Sequence, residues 1–306
     1  MRHASGEQWT ISAAGHEAVV VEIGGGLRTY TVDAVPLIDG YDADELRPGS
    51  AGSVLVPWPN RIRDGRYTFR GTAYRLPLSE PDRHNAIHGL VEWTRWHATK
   101  SAPDAVTVEY ELPPQPGYPW ALALTATYQV GASGLRADHT VTNVDSTPCP
   151  FGFAVHPYLL AGAPVPEVLL RVPARSRLLL DGRLLPIGAA RVAGTEYDFT
   201  TPKPIGALEL DVAFGDLIRD GEAPTDAPSE VALSTSDGGG VAIWAGAGFG
   251  WWQVFTGDTL AGERRRRAVA VEPMTCPPDA FRSGRDLITL EPDQSWHGAW
   301  GIRPAS

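Results

Sequence analysis

The sequence predicts an all-β protein, a large antiparallel sandwich or barrel, on three observations. Short stretches of alternating apolar and polar residues recur along the 306 residues, the period-two signature of half-buried strands. Turn-forming residues separate them, drawn from 33 glycines and 27 prolines. Long stretches with the apolar spacing of an amphipathic helix are scarce.

Taken in order, residues 9–32 alternate through Val19, Val21 and Ile23, break at Gly24-Gly25-Gly26, then resume as strand. The triplet lacks the strand–GxGxxG–helix setting of a phosphate loop, so it reads as a turn or bulge. Residues 66–76, 105–112, 122–144, 167–180, 230–246 and 251–257 follow as strands and hairpins. ASG after Val130 and SDGGG after Thr235 supply hairpin connections. No fixed-period repeat suggests a propeller. The acidic, Pro-containing segment 215–230 is the most linker-like, yet strand signals resume directly after it, so it reads as a surface loop. One domain over 1–306 is expected.

Composition narrows the function. Twenty-six basic against 36 acidic residues give a net charge of −10, which argues against nucleic acid or an anionic membrane as the main partner. The N-terminus has no apolar leader core, and no run reaches the roughly 18 apolar residues of a membrane helix. A cytoplasmic enzyme is the expectation. Two cysteines, Cys149 and Cys276, are too few for a disulfide framework or a zinc set; whether they pair is left open. The arginines of residues 263–268 (ERRRRA) read first as a solvated hairpin tip, second as an anion contact.

Four segments bear chemistry. In VPWPNRIRDGRYTFRG (56–71), Asn60-Arg61 follows a proline-bracketed tryptophan, a corner that can present a guanidinium fork to hydroxyl or carboxylate oxygens. NAIHGLV (85–91) sets His88 before a glycine. In GFAVHPYL (152–159), His156 interrupts an apolar alternation and Pro157 follows it. In AVAVEPMTCPPDAF (268–281) an apolar alternation ends at Glu272, closed by Pro273. His156 and Glu272 are thus expected at strand ends, each beside a ladder-ending proline. Asp211, in ELDVAFGDL, is a further acid in an apolar patch.

These segments, in this order, resemble the aldose 1-epimerases (galactose mutarotases), and the resemblance runs through most of the chain. It implies a large antiparallel β-sandwich of the galactose mutarotase-like supersandwich type. It implies Glu272 as the general base on the anomeric hydroxyl and His156 as the general acid on the ring oxygen. His88, Asp211, Arg61 and, more weakly, Asn60 would hold the sugar. Trp58 and Tyr158 read as packing first, sugar-facing second. Proton transfer of this kind needs no metal or organic cofactor, so none is expected; the partner is a small sugar, and the chain a monomer or homodimer. The alternatives are a mutarotase of an anionic sugar (a hexose 6-phosphate or sulfonated glucose, met by Arg61, Arg63 or the arginines of 264–267), a glycoside hydrolase using Glu272 and Asp211, and a non-catalytic carbohydrate-binding protein.

Overall fold

The computed structural model describes residues 3–219 and 227–305. It is dominated by two large sheets, in which every strand pairing is antiparallel. The nine-stranded sheet runs, edge to edge, through His97–Ser101, Ala105–Leu112, Leu122–Gly131, Gly134–Asn143, Ser295–Pro304, Gly240–Ala245, Ser229–Ser234, Leu169–Arg171 and Lys203–Pro204. The eight-stranded sheet runs through Pro186–Arg191, Ala174–Leu180, Asp211–Leu217, Trp251–Phe255, Val269–Met274, Ala154–Val155 and Val54–Leu55; Tyr158–Leu159 also pairs with Val269–Met274. A four-stranded sheet, Gln8 to Pro36, forms from the N-terminal residues.

The alternation foreseen for the central hairpin holds. Leu122, Leu124, Ala126, Tyr128 and Val130 are buried while their neighbours are more open, so a single face of the strand meets the core. Aromatic rings fill the space between the sheets: Phe153 lies 4.8 Å from Trp296 and 6.0 Å from Phe249, ring centre to ring centre. His139 is buried here as a structural histidine, accepting a hydrogen bond from Trp300 Nε1 at 3.0 Å; burial lowers its pKa to about 3. The glycine triplet is a turn, Gly24 and Gly25 having positive φ, and the adjoining strands slip register between Val19 and Val20.

Three expectations change. Pro273 does not end its strand: Val269–Met274 continues through it, pairing Pro273 with Trp252 and Met274 with Trp251. Proline withholds only its own N–H, and the ladder closes around the gap. Pro157 likewise interrupts without ending; Ala154 pairs with Met274 before it and Tyr158 with Ala270 after it, while its carbonyl accepts from Val271 N at 3.2 Å. The arginine run does connect two adjacent strands, and it is solvated only in part: Arg265 is exposed, while the other three are ion-paired. Arg264 reaches Asp39 and Glu45, Arg266 reaches Asp258, and Arg267 reaches Asp39, at 2.7–3.2 Å. Both cysteines are free and buried. Of the 215–230 segment, residues 215–217 finish a strand, and 220–226 lie outside the described residues. Among the described residues no helix is long and apolar enough to cross a membrane.

Candidate active site

The pleat of the eight-stranded sheet builds the site. In Val269–Met274, Val269 and Val271 face the main core, so Ala270, Glu272 and Met274 face the other way. Met274 joins an apolar cluster with Leu55, Ala154 and Trp251; Ala270 joins another with Tyr41 and Tyr158. Glu272 lies between these two clusters, walled by apolar side chains along its own strand.

Its polar neighbours lie across the strands. The register is the same on both sides of Pro157 and sets His156 opposite Glu272 on one flank; Gln253 is opposite on the other. His156, Glu272 and Gln253 therefore form one polar row on the outer face. His156 Nε2 is 3.3 Å from Glu272 Oε1, with side chains 6% and 2% exposed. Asp211 is paired with Phe255, one row along, and its Oδ1 accepts a hydrogen bond from Gln253 Nε2.

Loops close the other side. Backbone bonds from His156 N to Ser53 O at 3.1 Å and from Gly52 N to His156 O at 2.8 Å clamp the histidine. Asn60 adopts positive φ and its Oδ1 accepts from Arg61 N at 2.9 Å, turning the chain into the strand Arg61–Arg63. That strand pairs with Asn85–Ile87, and His88 N then donates to Asn60 O at 3.0 Å. His88 also has positive φ, and its ring meets the His156 ring edge-on at 5.3 Å. Gly89 follows because a Cβ there would lie 2.1 Å from the Val56 carbonyl oxygen.

Arg61 is held on two sides. Its Nε sits 2.9 Å from Glu80 Oε2 and its Nη2 3.1 Å from Glu80 Oε1, while Nη1 approaches Asp211 Oδ2 at 3.5 Å. Glu80 also accepts from Arg83 and from Asn85. Burial pushes the Glu80 carboxyl upward, but the hydrogen bonds from Arg61 and Asn85 and the two guanidinium charges outweigh it and hold the group below its ordinary value.

All six residues singled out in the sequence, Asn60, Arg61, His88, His156, Asp211 and Glu272, line one cavity of about 280 Å³ together with Glu80, Arg83, Tyr158 and Phe255. That volume is near the lower end of small-molecule sites. Trp58 is instead a packing residue, edge-on to Phe281 at 5.7 Å. Tyr158 lines the cavity, with its hydroxyl donating to Gly49 O at 2.9 Å. Gln253 and Glu80 were missed by the sequence reading. A lone amide in the apolar run WWQVF was the available signal for Gln253; Glu80 had none. Among the described residues no cluster of three or more His, Cys, Asp or Glu is arranged to hold a metal ion.

Electrostatics set the proton's position. Burial raises the Glu272 carboxyl well above its ordinary value, and the Asp211 charge adds to this against Arg61. Burial lowers His156 to about 4, helped by Arg61. The closed site thus favours a neutral carboxyl beside a neutral imidazole over the ion pair. Buried polar atoms without protein partners cluster here: Glu272 Oε2, His156 Nδ1, His88 Nδ1 and Gln253 Oε1. Such a concentration is unusual in a folded interior.

The sequence model of the family described as Aldose 1-epimerase matches residues 7–303. The chain belongs to the aldose 1-epimerase family. It is 34% identical over 291 residues to YihR of Escherichia coli K12, covering 94% of this chain and 90% of that protein. It is 29% identical over 173 residues to the galactose mutarotase of Rattus norvegicus, covering 51% and 46%. Among solved structures, a galactose mutarotase-like protein from Clostridium acetobutylicum superposes with a TM-score of 0.85 at 17% identity over 97% and 94% of the two chains. The galactose 1-epimerase of Lactobacillus acidophilus gives 0.78 at 21% over 96% and 92%. These superpositions establish the fold, the β-sandwich that the sequence predicts.

Proposed function

We propose that the protein interconverts the α and β anomers of a hexose. Glu272 takes the proton of the anomeric hydroxyl while His156 gives one to the ring oxygen. The C1–O5 bond breaks, the open aldehyde turns about C1–C2, and reclosure with the roles reversed yields the other anomer. The observation that supports this best is the closeness of His156 and Glu272. The two oxygens involved are bonded to a single carbon, so acid and base must converge on neighbouring points.

The working form needs a carboxylate and an imidazolium, whereas the closed site favours both groups neutral. One proton transferred from Glu272 Oε1 to His156 Nε2 converts the second into the first with no change in net charge. A sugar whose hydroxyls donate to the freed carboxylate favours that transfer. Arg61, Asp211 and His88 hold the sugar hydroxyls, with Gln253 positioning the Asp211 carboxylate and Asn60 fixing the turn that carries Arg61. A hydrolytic pairing of Glu272 with Asp211 is disfavoured because the Gln253 hydrogen bond and the Arg61 charge favour Asp211 as a fixed hydrogen-bond acceptor over a proton donor or nucleophile.

A second reading, an anionic hexose, rests on Arg83. Arg61, Arg63 and the arginines at 264, 266 and 267 are each ion-paired. Arg83 lines the cavity with its side chain 37% exposed, and its carboxylate, Glu80, is shared with Arg61. Anomer interconversion measured by NMR exchange on pure α-glucose, α-galactose, glucose 6-phosphate and a 6-sulfonated glucose tests both. Catalysis of the neutral sugars supports the first reading; catalysis confined to the anionic ones supports the second; no catalysis of any overturns both.

A further inference from the structure

A second concave site lies outside the catalytic cavity. The hairpin of Arg66–Phe69 and Thr72–Arg75 pairs Arg66 directly with Arg75. Like charges at opposed positions of a strand pair repel, and nothing in the hairpin offsets this pair. The short helix Ala280–Ser283 packs on the hairpin through Phe281, whose ring meets Tyr67 edge-on at 5.0 Å. This brings in a third guanidinium, Arg282. The three arginines line one groove of about 580 Å³ with Thr68, Ala73, Tyr67 and Tyr74.

No carboxylate lines that groove. Among the described residues neither Arg66 nor Arg75 has an ion-pair partner. Arg282 has only a long contact, 3.4 Å, to Asp279 Oδ2, and the other oxygen of that carboxylate accepts from Arg63 N at 3.0 Å. In a chain of net charge −10, three cations lining one groove without a carboxylate form a local positive field.

We propose that this groove binds a tetrahedral oxyanion, the phosphate or sulfate group of a small molecule, between Arg66, Arg75 and Arg282. Guanidinium forks donate in pairs to such oxygens. The Thr68 hydroxyl, on the same face of the hairpin as Arg66 and Arg75, supplies a further donor. The bound anion relieves the Arg66–Arg75 repulsion, so it stabilises the fold as well as occupying the groove. The site is independent of sugar turnover.

The test is isothermal titration and thermal melting of the full chain with inorganic phosphate, sulfate and glucose 6-phosphate, against sodium chloride of equal ionic strength. Phosphate and sulfate are expected to raise the melting temperature in a saturable way that chloride does not reproduce. Phosphate affinity should fall at least tenfold in the Arg66→Gln/Arg75→Gln variant, fall several-fold in Arg282→Gln, and stay unchanged in Arg83→Gln. Tighter binding of glucose 6-phosphate that is lost in the double variant would extend the site to an organic phosphate. A melting shift matched by chloride, or affinity unchanged in the double variant, would overturn the proposal. So would a loss in Arg83→Gln instead, which would put the anion in the catalytic cavity. If the double variant does not fold, an unchanged affinity in Arg282→Gln is sufficient to refute it.

Discussion

His156 and Glu272 face one another across a single strand register, Nε2 to Oε1 3.3 Å apart, both nearly closed to solvent. The two groups respond to pH in opposite directions. The native state holds His156 at about 4 and His139 at about 3, below the unfolded value of about 6.5. Their contribution to stability is complete above about 6.5 and is lost as pH falls toward those native values. Each histidine should therefore cost about 1.4 kcal/mol per pH unit below about 6.5; in the parent protein Glu272 offsets one such slope over the same range, so the decline is read in Glu272→Gln by urea unfolding at pH 7, 6 and 5.

Glu272 has the reverse sign. Its native pKa is raised, so its contribution is complete below the ordinary carboxyl value and is lost as pH rises through the native one. Glu272→Gln cannot ionise. The same unfolding series extended to pH 9 should show the variant gaining stability relative to the parent protein as pH rises.

Glu80 has no place in the chemistry, yet it holds both Arg61 and Arg83. Glu80→Gln leaves a nearly buried guanidinium without its main counter-charge. The expected cost is about 3 kcal/mol of stability, with KM rising more than kcat falls. A variant with parental melting temperature and KM would show that Arg61 needs no such support.

Gln253 ties the row together by donating to Asp211. Gln253→Leu leaves a carboxylate oxygen without its donor, at a cost of roughly 1–3 kcal/mol. It should lower kcat/KM at least tenfold in steady-state kinetics while the far-UV circular dichroism stays unchanged.

Gly89→Ala tests the loop that delivers His88. The added Cβ meets the Val56 carbonyl oxygen at 2.1 Å in a positive-φ position, so backbone must move. Lower thermal stability and a raised KM should appear together, whereas Gly71→Ala, where a Cβ meets nothing within 4 Å, should leave KM unaltered.

Much of this was legible in the chain because strand alternation is local. The hairpins around residues 131–134 and 235–240, and the exceptional positions of His156 and Glu272, could be read from neighbouring residues alone. What joins those two residues could not. Their opposition depends on the register of strands over a hundred positions apart in sequence, and register is fixed by tertiary burial. The same limit hid Glu80 as the partner of Arg61 and Asp39 as the partner of Arg264 and Arg267, so a run of arginines looked solvated. Proline was over-read: Pro157 and Pro273 each withhold one donor, and the surrounding pairs carry the strands past them. Gln253 was in plain view within WWQVF, but a single amide in an apolar run has no direction until the pleat assigns it a face.

The central claim is that His156 and Glu272 move the two protons of ring opening. Polarimetry of α-glucose and α-galactose, at equal concentrations of parent protein, Glu272→Gln and His156→Ala, tests it most directly. Folding of each variant is checked by its melting curve. The account predicts that each substitution lowers the catalysed rate by roughly 10²–10⁴-fold in a protein that remains folded. A folded variant that keeps the parental rate would remove its residue from the mechanism and contradict the claim.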